Sequence, residues 1–119
     1  MRFFVLVIAV LIPSWAGASD FRPVQERSEF VGLTLGKSLK AFAVTLQVTS
    51  EGAIRGRALG RRVDGEWVWR DGYFCREMTA GSTEYTEDCQ VVLFDGQGTL
   101  RFIAERGAGD QVDLKLSTH

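Results

Sequence analysis

The chain has 119 residues, with 14 lysines and arginines against 15 aspartates and glutamates, a formal charge of −1. That length fits one domain with a modest core and leaves no room for a dinucleotide domain beside a substrate domain. The near balance of charge excludes a general nucleic-acid binder, which needs a basic excess to displace phosphate counterions.

In chain order, the N-terminus reads as an export signal. Met1-Arg2 is a minimal basic start, Phe3–Ile12 is an unbroken apolar run, and Pro13 and Ser14 break it before the small-x-small pattern Ala16-Gly17-Ala18. The run is ten residues long, whereas a membrane-spanning helix needs about 20. Residues 1–18 are therefore expected to be a signal peptide cleaved after Ala18, leaving 19–119 as one domain in the periplasm or secreted. That mature chain is formally −2, with 13 basic and 15 acidic residues, and has no cysteine after the cleavage site to carry a lipid anchor. No membrane span is expected in it.

Ser19–Pro23 leads in. Val24, Arg27-Ser28, Val31 and Leu35 fall on related helical faces with Phe30 nearby, and Glu26 and Glu29 sit early, where the helix dipole favours negative charge. The spacing predicts a short helix around Pro23–Leu33, ended by Gly36. Beyond it the pattern has period two. Leu39–Thr49 reads as one strand with Phe42, Val44, Leu46 and Val48 on a face, turned by Ser50-Glu51-Gly52. Ile54–Leu59 puts Arg55 and Arg57 opposite Ile54, Gly56 and Ala58, whose small size leaves room for tryptophans to pack over them. Asp64-Gly65 turns into Glu66–Arg70, which places Trp67 and Trp69 on one face, and Asp71-Gly72 is a strong two-residue hairpin signal. Tyr73–Thr79, a loop at Ala80-Gly81-Ser82, and Cys89–Phe94 follow. Asp95–Gly98 then turns into Thr99–Glu105, and Gly107–Asp110 into a closing strand with Val112, Leu114 and Leu116 on its core face.

The fold class is thus mainly β: an antiparallel meander of about seven strands, curled into a barrel or bent sheet, with the helix plugging one open end. Two packed sheets are the alternative. A hairpin turning at Ser82 sets Cys75 and Cys89, each seven residues away, opposite one another as a disulfide. A loop of that size should stabilise the fold by roughly 3 kcal/mol.

Catalytic chemistry is hard to build from these residues. The one histidine is His119, the last residue, and both cysteines are committed. Glu84, Glu87 and Asp88 lack Ca²⁺-loop spacing and read as a solvated acidic loop. No GxGxxG or GxxxxGK[ST] occurs. No catalytic, metal or cofactor residue is assigned, and the chain is expected not to be an enzyme. Three features stand out: the basic group Arg55, Arg57, Arg61 and Arg62; the aromatic group Trp67, Trp69, Tyr73 and Phe74; and Arg70 with Arg76, which flank Tyr73 and could grip a ligand's carboxylate or those of Glu66 and Glu77. Each also has a structural reading, as exposed strand face, core or ion pair. From them Arg55, Arg57, Trp69, Arg70, Tyr73 and Arg76 make the candidate binding surface.

The segments W-x-W-x-D-G-Y-F-C-R (Trp67–Arg76) and D-C-Q (Asp88–Gln90), with Phe21–Val31 and Gly52–Arg57, resemble a group of small exported alphaproteobacterial β-proteins of unknown function, over most of the mature chain. Some members carry the transferred name dihydrodipicolinate reductase, which implies an NAD(P)H enzyme; its dinucleotide fingerprint does not occur here. A looser likeness, of architecture alone, is to periplasmic lysozyme inhibitors. The expected function is non-catalytic binding of a partner protein or envelope component. The alternative is a small-ligand carrier with a cavity lined by Trp67, Trp69, Phe102 and Leu114.

Overall fold

A computed structural model describes residues 20–118; the expected signal peptide lies outside them. The elements run β1 (Arg22–Pro23), α1 (Arg27–Thr34), β2 (Lys37–Ala41), β3 (Val44–Val48), β4 (Ala53–Ala58), β5 (Arg61–Arg70), β6 (Tyr73–Ala80), β7 (Thr83–Phe94), β8 (Thr99–Ile103) and β9 (Gln111–Thr118). Each of β2 to β9 pairs antiparallel with the next, and β9 pairs back on β2 from Lys37↔Thr118 to Lys40↔Lys115. The meander is a closed eight-stranded barrel, not two packed sheets. Closure gives each of these strands a partner on both sides, which a lone curled sheet cannot do, although β7 before Val91 is paired by β6 alone.

Short β1 is an addition to the barrel. Its Arg22 and Pro23 pair with Phe94 and Leu93, on the edge of β7 that β6 vacates beyond Gln90, while β8 holds the other edge. Proline has no amide hydrogen to give a ladder, and such a strand end tolerates it. The helix begins four residues after Pro23, not at it. Phe30 and Thr34, one turn apart, are its buried residues, and Gly36 at φ 71° turns the chain into β2.

Three further expectations are corrected. Leu39–Thr49 is not one strand: Phe42-Ala43 is a two-residue turn between Ala41 and its partner Val44, with Ala43 at φ 57°. Phe42 is therefore not on the buried face with Val44 and Val48 but 94% exposed. This split is what raises seven strands to eight. Secondly, Gly56 does not make room for a tryptophan. A Cβ there would run into the Thr45 carbonyl oxygen and lie 2.9 Å from the Leu46 Cα, so the glycine admits the backbone of β3 itself, at φ 149°. Thirdly, β5 and β7 start well before Glu66 and Cys89. Asp64-Gly65 lies within β5, and Glu84, Glu87 and Asp88 lie on β7 rather than in a loop.

The Cys75–Cys89 disulfide forms, across directly opposed residues of β6 and β7. Its register depends on a bulge. The hairpin turns at Gly81-Ser82, with Ala80 opposite Thr83 and Met78 opposite Tyr85, yet Arg76 faces Asp88. Glu77 thus stands against two residues, Thr86 and Glu87. Without the extra residue, counting back from that turn would set Cys75 against Asp88.

Candidate functional site

The barrel's two ends differ. The turns Thr49–Gly52, Asp71-Gly72 and Asp95–Gly98 share one end with α1, which seals it. Phe30, fully buried, is the plug: its ring centroid lies 5.1–5.3 Å from those of Trp67, Trp69 and Phe74 and 6.3 Å from that of Phe102. The indole N–H groups of Trp67 and Trp69 donate to the Thr49 and Gln25 carbonyls, both at 2.9 Å. Arg27 of α1 donates to the Ser50 carbonyl at 2.6 Å and lies over the Trp67 ring. Paired aromatics of this kind contribute about 0.5–1.5 kcal/mol each beyond their buried area. Asp95 orders the third turn, accepting the Gln97 and Thr99 amides at 2.8 and 2.9 Å, and these hydrogen bonds hold its carboxyl below the ordinary 3.8.

At the other end the connections are Phe42-Ala43, Leu59-Gly60, Gly81-Ser82 and Ala104–Asp110, the last with a single 3-10 turn at Glu105–Gly107, and α1 does not cover them. The last of these folds back onto the β6–β7 pair: Glu105 N–H donates to Asp88, and Arg106 lies over Tyr73. On the neighbouring wall, Arg101 grips Asp113 with two hydrogen bonds of 2.8 and 3.0 Å, which lower the Asp113 carboxyl below its usual range. A pocket of about 140 Å³ remains inside the barrel. Leu39, Leu46, Ile54, Phe102 and Leu114 make its apolar walls, with Arg76, Met78, Gln90 and Val112 also lining it. Phe102 and Leu114 are thus where a cavity was expected, whereas Trp67 and Trp69 pack around Phe30 instead.

The six candidate surface residues fall in separate places. Arg55 and Arg57 lie exposed on β4. Arg55 shares Asp64 with Arg62, at 3.5 and 2.9 Å, and Arg57 donates to the Gly60 carbonyl. Arg70 and Tyr73 are cross-strand partners beside Asp71-Gly72, and the carboxylate near Arg70 is that of Glu87, 3.7 Å away, rather than Glu66 or Glu77. Trp69 joins the aromatic plug. Arg76 donates to the Thr86 carbonyl and lies 6.0 Å from the Tyr85 ring centroid, with no carboxylate among the described residues in ion-pair range.

Two residues missed from the sequence complete the open end. Leu59, at φ 53°, is 73% exposed, and its N–H donates to the Ala43 carbonyl at 2.8 Å, which joins the Leu59-Gly60 turn to the Phe42-Ala43 turn. A signal was available for Phe42. The segment 39–49 is twice the usual strand length of about 5–6 residues, so a turn inside it was to be looked for.

Comparisons with models of known protein families, with curated proteins and with solved structures return no match. Among the described residues no helix is long and apolar enough to cross a membrane, and no group of three or more His, Cys, Asp or Glu is placed to hold a metal ion.

Proposed function

We propose that this barrel acts by binding rather than catalysis, as an exported module that engages a partner protein or another component of the cell envelope at its open end. The observation that carries the reading is the contrast between the ends: one closed by α1 and an aromatic plug, the other presenting Phe42 and Leu59 to solvent. Leu35, beside the sealed end, is 64% exposed, but Phe42 at 94% and Leu59 at 73% are more exposed and project from two turns joined by a hydrogen bond, so that together they offer an apolar contact. Location in the periplasm or outside the cell is part of the proposal, supported by the N-terminal pattern and by a disulfide, which persists in oxidising compartments.

A photo-crosslinking amino acid at Phe42, in protein expressed in a bacterial periplasm, tests this. Adducts at Phe42 and none at Gln97, on the sealed end, are expected. Adducts from Gln97 alone, or from neither position in a protein that also fails to bind lipid vesicles, would refute the reading.

A carrier is the second reading, favoured by the apolar pocket with Arg76 on its wall, an arrangement suited to a short apolar chain ending in an anion. At about 140 Å³ the space is below the roughly 300–1,000 Å³ of ordinary ligand sites. Native mass spectrometry of gently purified protein separates the two, because cargo would add a mass lost on denaturation. The reductase name of the resembling proteins has less to rest on, since a dinucleotide is far larger than this pocket.

A further inference from the structure

Charge along the chain is strongly segregated, and the barrel places Lys40, Arg57, Arg61 and Arg62 beside the Phe42-Ala43 and Leu59-Gly60 tips. The carboxylates of that end, Glu84, Glu105 and Asp110, lie in or beside its other two connections, and Asp113 lines the groove beside Phe42. Residues 30–63 hold six cations, Lys37, Lys40, Arg55, Arg57, Arg61 and Arg62, and one carboxylate, Glu51, in the β3–β4 turn at the sealed end. Residues 64–118 hold eleven carboxylates and five cations. A net charge near zero conceals this division.

Near the tips the cations are crowded and poorly neutralised. Arg57 stands directly across from Arg62, and Lys40 across from Lys115, like-charge pairings that oppose folding. Asp64 balances Arg62 and Arg55, but Arg57 and Arg61 spend their guanidinium hydrogens on the Gly60 carbonyl and the Thr83 hydroxyl. Among the described residues no carboxylate lies within ion-pair distance of Lys40, Arg57, Arg61 or Lys115. Phe42 and Leu59 project from this basic surround on two hydrogen-bonded turns.

We infer that the tips dock on an anionic phospholipid bilayer, a proposal that rests on the open end being the binding end. Phe42 and Leu59 enter the interface between headgroups and acyl chains, while Lys40, Arg57, Arg61 and Lys115 meet lipid phosphates. Two separated, protruding apolar side chains suit a fluid acyl layer that closes around each. A protein interface more often centres on one packed, continuous apolar patch. The charge segregation supplies the complementarity, because basic side chains close to an anionic surface are attracted within a Debye length.

The test is co-sedimentation of protein recovered from a bacterial periplasm, its mass checked for loss of the leading segment. The vesicles are phosphatidylglycerol mixed with phosphatidylcholine, or phosphatidylcholine alone. Binding to the anionic vesicles is expected to exceed that to neutral ones by on the order of tenfold or more and to fall with added salt. Phe42→Ser with Leu59→Asn, and separately Arg57→Gln with Arg61→Gln, should each weaken it severalfold while leaving the melting temperature in place, since all four side chains are exposed. Equal binding to both vesicle types, or none to either, overturns the proposal. A Phe42 crosslink to a protein without vesicle binding overturns the lipid assignment alone. Absence of both signals refutes the binding reading as well.

Discussion

Asp95 and Asp113 carry the clearest electrostatic consequence at the level of single side chains. Both carboxyls are held below the ordinary aspartate value of 3.8, Asp95 by the amides of Thr99 and Gln97 and Asp113 by Arg101. A depressed folded-state value means that the unfolded chain takes up the proton first as pH falls. The stabilisation is complete above the unfolded value and disappears as pH drops through the folded one. The contribution of these two groups to the melting temperature should therefore be constant from neutral pH to about 5 and be lost below about 4. The double variant Asp95→Asn, Asp113→Asn should show a shallower acid decline, which thermal melts across that range would detect. Gly56 gives a second test. Adding a methyl group against the Thr45 carbonyl, at φ 149°, should destabilise the barrel by about 1–3 kcal/mol or more, read from the urea midpoint of Gly56→Ala. The sequence placed Gly56 on a strand but assigned its missing side chain to the wrong neighbour. Period-two reading identifies a face, whereas the approach of one backbone to another is set by how the whole sheet curls.

For the elements, legibility followed turn chemistry. Asp71-Gly72 was readable because Asp71 at φ 55° and Gly72 at φ 84° are residue types that accept such angles. Ala41-Phe42-Ala43 has none of these cues, so the turn disappeared into an apparent strand, and with it went the more prominent feature of the open end. The helix was found with its start displaced, because Pro23 serves β7 through the two-residue β1 instead. What fixes α1 is Phe30, not intrinsic helix preference: eight residues with no side-chain cap on the Glu26 end would not hold alone in water. Phe30→Ala should cost about 3–5 kcal/mol, lowering the melting temperature and raising hydrogen exchange in α1 and at the two indole N–H groups. Unchanged exchange there would mean that the plug is not what holds the helix.

Across the whole molecule, the disulfide joins β6 to β7 beside the bulge, and Cys75 is only 1% exposed. Cys75→Ser with Cys89→Ser should lower stability by roughly 3 kcal/mol, read from the urea midpoint. The pairing was legible although the hairpin axis lies at Gly81-Ser82 rather than on Ser82. The bulge, which nothing in the local residues announces, supplies the missing offset.

Closure of the barrel between β2 and β9 also has a consequence in time. The seam joins the first long strand to the last, and the partners of Phe30 lie at positions 67, 69, 74 and 102. During folding the early segment therefore waits: Phe30 gains Trp67, Trp69 and Phe74 only once β5 and β6 are present, and Phe102 and the seam come later still. A nascent chain stopped short of β9 has no closed state to fall into. Only a chain that extends through β9 can close this seam.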